Sequence, residues 1–140
     1  MSVVKTKSSS KAIIYYNKKL LLLLRDNDPS IPDPNKWSLV GGEVDKGESF
    51  KQAMHREIKE EISILPKSIQ CLGEIKTPDG NSHSIFLVKM TNIEVENIKI
   101  GDEGQQVKFF SIREINKLKL AKNVKLYLEQ WLKSNTPRAK

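Results

Sequence analysis

Five consecutive leucines, Leu20 to Leu24, constrain the fold of this chain more than any other feature. By propensity such a run suits a helix, but five residues make little more than one turn. The apolar stretch Lys11 to Tyr16 precedes it, and the polar pair Asn17-Lys18 separates the two. Two short apolar runs across a two-residue polar break read as a β-hairpin, and an unbroken leucine strand reads as buried on both faces. With 140 residues the chain holds one compact domain with a real core and no comfortable second one.

The remaining segments supply the other elements. Met1 to Ser10 ends in a serine triplet and is expected to be a flexible tail. Residues 11–135 then form the single domain, with 136–140 as a C-terminal tail. Pro29, Pro32 and Pro34 make Asp26 to Lys36 a restricted loop. Trp37 to Val40 is a short strand that Gly41-Gly42 breaks. Ser49 caps a helix running to Ile62, with Gln52 completing a capping box. Phe50, Ala53, Met54, Ile58 and Ile62 recur on its buried side. Strands are expected over Ser68 to Lys76, His83 to Met90 and Val107 to Ser111, the first two joined by a turn at Pro78-Asp79-Gly80. A closing helix carries Ala121, Val124, Tyr127, Leu128, Trp131 and Leu132 on one apolar face. Strands with two helices predict an α/β or α+β sandwich, a mixed sheet with flanking helices.

Composition narrows the class. Hydrophobic residues at 38% and charged residues at 29% fit a globular chain rather than a disordered one. The net charge of +7 favours an anionic partner, though lysines such as Lys5, Lys7, Lys133 and Lys140 also serve as a solubilising surface. One cysteine, Cys71, allows no internal disulfide, and its apolar neighbours Ile69 and Leu72 make it a poor nucleophile. The polar start carries no secretory leader and the leucine run is too short to span a bilayer. A cytoplasmic location without a membrane partner is the expectation.

The chemistry concentrates between Gly41 and Glu61. On a helix of roughly 100° per residue, Glu57, Glu60 and Glu61 fall within one arc, and Glu61 lies inside the buried one. Like charges so placed repel by roughly a few tenths of a kcal/mol per pair when exposed, and burial raises the cost. A cation among them removes the conflict, and carboxylate oxygens suit a hard divalent ion such as Mg²⁺. Gly41-Gly42 lets backbone approach the helix, and Arg56 reaches back towards Glu48.

Gly42, five residues, Glu48, seven residues, then Arg56-Glu57-Ile58-Lys59-Glu60-Glu61 and Ile64 resembles the signature box of the Nudix hydrolase family. Ser63 stands where that box has glycine, and Val40 where many members have proline. The resemblance implies a Nudix-like α/β/α sandwich and a pyrophosphohydrolase acting on nucleoside-diphosphate-linked substrates. It also implies Mg²⁺ or Mn²⁺ held by Glu57, Glu60, Glu61 and the Gly41 carbonyl. Arg56 would orient Glu57, Glu48 would brace the loop, and Glu57 or Glu103 would act as general base.

Substrate choice stays open. Arg25, Trp37 and Lys46 are the substrate-binding candidates, for phosphate and base contacts. The short chain and early Trp37 lean towards nucleoside triphosphates. ADP-ribose or nucleotide-sugar hydrolysis and a catalytically silent nucleotide-binding module are the alternatives. A nucleic-acid partner is not expected, since aromatic and basic residues do not interleave. His55 and His83 stand apart without metal-ligand spacing and read as structural or exposed.

Overall fold

The leucine run does form a strand. In the computed structural model, which describes residues 6–135, β1 (Ser8–Tyr16) and β2 (Lys19–Leu24) form the expected hairpin. Asn17 and Lys18 both take positive φ, 50° and 62°, as a two-residue turn of right-handed strands requires. Leu20, Leu21 and Leu22 are at most 1% exposed, so β2 is covered on both faces. Ser8 to Ser10 belong to β1, which corrects the expected tail boundary at Ser10. Residues 1–5 and the expected tail at 136–140 lie outside the described residues.

Seven strands make one mixed sheet, ordered β3-β2-β1-β6-β5, with β4 also paired to β1 and β7 to β2. The further strands are β3 (Trp37–Ser38), β4 (Val40–Glu43), β5 (Gln70–Lys76), β6 (Ser82–Lys89) and β7 (Gln106–Phe110). β1 runs parallel to β6 over Ser8 to Tyr15. It pairs with β2 only at Tyr15 and Tyr16, and β4 takes over its other edge from Ser9 to Ala12. The sheet thus splits between β1 with β4 and β2 with β3, and the split opens the cleft described below.

Four helices are present among the described residues: α1 (Phe50–Ile62), α2 (Asn92–Glu96), α3 (Ile112–Ile115) and α4 (Val124–Asn135). α1 packs Met54, Ile58 and Ile62 with Ala12, Ile14, Leu21 and Val88 on one face of the sheet. Tyr127, Leu128 and Trp131 of α4 pack with Ile13, Leu22 and Ile85 on the other. This is the expected α/β/α sandwich. Leu132, expected on the apolar face of α4, is 45% exposed, and Ala121 lies before the helix. Cys71 is exposed on β5.

Two local expectations need correction. Gly41 and Gly42 do not break a strand; they lie within β4. At Gly41, φ is +147° and a Cβ would stand 2.1 Å from the Ser10 carbonyl oxygen, so only glycine lets β4 close on β1. The short helices α2 and α3 were not expected. Each carries a capping box, Thr91 with Glu94 and Ser111 with Glu114.

Candidate active site

The glutamate helix is fixed at both ends. Ser49 accepts from Gln52 N while the Gln52 side chain accepts from Ser49 N at 2.8 Å, so α1 starts where expected. At the other end Ser63 adopts the left-handed conformation, φ 64° and ψ 30°, in place of the family's glycine. Its N–H donates to Lys59 O and its hydroxyl donates to Lys99 O at 2.9 Å. Lys99 N and Gly101 N donate to Ile62 O and Glu61 O, which satisfies carbonyls at the helix end. A Cβ on Gly101 would sit 2.0 Å from Glu60 O, so only glycine allows this strap so close. The strap carries Glu103 to the glutamates.

Glu61 extends from α1 to β4, where its Oε2 accepts from Gly41 N–H at 2.8 Å. Burial pushes its carboxyl up to about 8 against the pull of that N–H, with Glu57 and Glu103 adding to the rise and Lys11 opposing it. Burial also raises Glu57, although Arg56 opposes it at 2.9 Å. Arg56 binds Glu48 through two nitrogens at 2.8 and 3.0 Å and donates to Glu43 O at 3.0 Å. Its hydrogen bond to Glu48 is the main reason its own pKa rises and that of Glu48 falls. Glu48 also accepts from Asp45 N at 2.8 Å, so it braces the β4–α1 loop as expected. Arg56 therefore ties the loop to Glu57, with Glu60 at 3.4 Å more loosely held.

These groups face a cleft of about 420 Å³, lined among others by Arg25, Gly41, Gly42, Glu57, Glu61 and Glu103. Glu60 lies on an adjoining hollow of about 510 Å³ with Glu57, Glu61, Gly101, Asp102 and Glu103. The predicted glutamates, Gly41, Glu103 and Arg25 are thus brought together. Two residues are not. Trp37 packs edge-on against Phe110 at 4.8 Å, and its backbone N–H donates to Lys119 O, so it packs against the α4-side core rather than lining the cleft. Lys46 is exposed on the β4–α1 loop and does not line the cleft.

The cleft also has walls that the glutamate motif does not announce. Lys7, Lys11 and Lys122 add positive charge, and His83 and Tyr127 add rings whose centroids lie 5.3 Å apart. His83 is structural, as expected: Ser9 Oγ meets its Nδ1 and Thr77 Oγ1 its Nε2. Burial lowers its pKa, and Lys11 lowers it further. The one available signal was Lys11 itself, a charge inside an apolar strand.

A profile of the NUDIX domain matches residues 6–132. The chain belongs to the Nudix family. Over 84 residues it is 34% identical to an ADP-ribose pyrophosphatase of Methanocaldococcus jannaschii, covering 59% of this chain and 50% of that protein. It is 35% identical over 63 residues to the nucleoside triphosphatase NudI of Klebsiella pneumoniae, covering 39% and 45%. The chain thus spans about half the length of these curated relatives. The MutT protein of Methanosarcina mazei Go1 has the same fold, with a TM-score of 0.80 at 24% identity over 97% of this chain and 100% of that one. Members of the Nudix family generally use divalent metal ions.

The donor set fits such an ion. All its side-chain oxygens are carboxylates, and Glu61 is buried beside Glu57 and Glu103 with one neutral donor as its hydrogen-bond partner. Among the described residues no three acidic, histidine or cysteine side chains already converge at metal-ligand spacing. Arg56 meanwhile pairs with Glu57 and Glu60. An ion would have to draw these carboxylates from Arg56, which keeps Glu48 as its main partner. No helix among the described residues is long and apolar enough to cross a membrane.

Proposed function

We propose that this Nudix domain is a Mg²⁺- or Mn²⁺-dependent pyrophosphohydrolase that cleaves a nucleoside-diphosphate-linked small molecule. The observation that carries the reading is Glu61. Its carboxylate is buried against Gly41, with Glu57 and Glu103 beside it, at the wall of a cleft whose other groups include several cations. Such an arrangement is costly for stability alone and suits a site that binds a cation together with a phosphate chain. Glu57, Glu60, Glu61 and the Gly41 carbonyl would hold the ion, which when bound polarises a phosphate and acidifies water.

The chain's own residues do the rest. Arg56 keeps Glu57 oriented through the brace to Glu48 and the Glu43 carbonyl. Glu103, carried on the strap at the end of α1, stands beside Glu61 and serves as general base, with Glu57 the alternative. Arg25, whose Nε donates to Pro32 O at 2.9 Å, links the proline loop to the cleft and meets substrate phosphate.

The lean towards triphosphates draws partly on Trp37, which packs against Phe110 instead of lining the cleft. The relatives named above include both an ADP-ribose pyrophosphatase and a nucleoside triphosphatase, so a linked diphosphate stands beside a triphosphate as substrate. Hydrolysis of a panel of nucleoside triphosphates, ADP-ribose and nucleotide sugars in ¹⁸O-labelled water with Mg²⁺ tests the reading. A nucleoside monophosphate as a product, with the label on one product only, is expected. Orthophosphate released from a simple monoester overturns it.

A further inference from the structure

The cation deepest in the cleft is outside the glutamate motif. Lys11 stands on β1 opposite Gly41 of β4 and Ile85 of β6, just before β1 and β2 meet. Its side chain lines the main cleft and a side pocket of about 60 Å³ shared with Arg25, Ser38, Glu61 and Glu103. Ala12, Ile13 and Ile14, next along the strand, are fully buried. Burial lowers the Lys11 pKa, with Glu61 the largest opposing influence.

Its neighbours in the cleft are already engaged. Lys7 pairs with Glu43 at 3.2 Å, Lys122 lies 3.9 Å from Asp79, and Arg25 donates to Pro32 O. The Lys11 ammonium group makes no hydrogen bond and no close ion pair among the described residues; its attraction to Glu61 and Glu57 acts beyond contact distance. An apolar residue would fill this strand position without the desolvation cost of an ammonium group. Three N–H donors deep in a cleft, left without acceptors by the protein, suit an anion that arrives with the ligand.

We propose that Lys11 binds a phosphate of the substrate from the wall facing Glu61, so that the diphosphate lies between Lys11 and the glutamates. This rests on the hydrolase reading and adds a specificity-determining contact to it. The contact favours a linked diphosphate, which offers one phosphate to Lys11 and the next to the glutamate side, whereas a monophosphate must divide its oxygens between the two.

The test is calorimetric titration of α,β-methylene-ADP, which cannot be cut at the bridged position, in Ca²⁺. Lys11→Met should weaken binding about 10- to 100-fold, as loss of a charge-assisted hydrogen bond does. Lys11→Arg should restore most of the affinity. Lys133→Met, an equal loss of charge at an exposed site, should leave it unchanged. AMP should lose far less affinity than the diphosphate analogue in Lys11→Met. If Lys11→Met binds the analogue as the wild type does, or no more weakly than Lys133→Met, the proposal is overturned. A change confined to the ligand-free melting temperature, with analogue affinity intact, makes Lys11 a mere counter-charge for Glu61 and also overturns it. If the wild type itself neither binds the analogue nor hydrolyses the panel, the hydrolase reading falls first.

Discussion

Replacing Glu61 by glutamine should stabilise the metal-free protein at alkaline pH. Burial lifts the carboxyl from its ordinary 4.5 to about 8 in the fold. An acid whose pKa rises on folding favours the native state fully below its unfolded value, and that contribution is lost as pH climbs through the folded value. The window therefore runs from pH 4.5 to about 8. At about 1.4 kcal/mol per pH unit the full loss is on the order of 5 kcal/mol, and water entering the open cleft reduces it to about 2–3 kcal/mol. Glutamine keeps an acceptor for Gly41 N–H and has nothing to ionise, so the variant should show no such decline. Thermal melts in a chelator between pH 5 and 9 measure this. The two proteins should melt together near pH 5, and the variant roughly 5–10 °C higher near pH 9. A variant that melts at or below the wild type at pH 9 refutes the reasoning, because burial of Glu61 would then carry no electrostatic cost.

Millimolar Mg²⁺ or Mn²⁺ should raise the wild-type melting temperature by binding the folded state alone, and the rise should vanish in Glu57→Gln/Glu61→Gln. An unmoved wild-type curve makes the cluster a solvated face. Gly42→Ala would bring a Cβ to 2.5 Å from Glu57 Oε1, so kcat/KM should fall about 100-fold while stability changes by less than about 1 kcal/mol. Wild-type turnover in that variant shows that the Glu57 position is not critical. Ser63→Ala keeps the left-handed backbone and loses the 2.9 Å bond to Lys99 O, so urea denaturation should show a loss of about 1 kcal/mol. Ser63→Gly exchanges that bond for relief of strain and should stay within about 0.5 kcal/mol of wild type; a large gain on Gly shows that the bond contributes nothing.

The hairpin, α1 and the glutamate face were legible in the sequence because each is written locally. A polar pair between apolar runs, a capping box and a helical period need no knowledge of distant neighbours. Glu61 was legible for the same reason: its helical angle puts a charge among buried positions, and the structure sets it against Gly41. Other features depend on what the sheet brings together. Gly41-Gly42 reads as a break until β1 is known to lie alongside, where the missing side chains become a packing requirement. Trp37 reads more readily as core than as platform, and Phe110, seventy-three residues on, decides it. Lys11 enters the site only because β1 changes partner from β2 to β4. The small helices α2 and α3 begin at capping boxes, Thr91 with Glu94 and Ser111 with Glu114, but are too short for a helical period to stand out.

The Glu57 to Glu61 face should hold the ion with which a linked diphosphate is cut. The most direct measurement is the hydrolysis rate of ADP-ribose and of a nucleoside triphosphate by wild type and Glu57→Gln/Glu61→Gln, each with Mg²⁺ and with a chelator. Wild type should turn over at least one substrate with Mg²⁺, and removing either the ion or the two carboxylates should cost about 1000-fold or more. Turnover that persists in the double variant, or in the chelator, contradicts it.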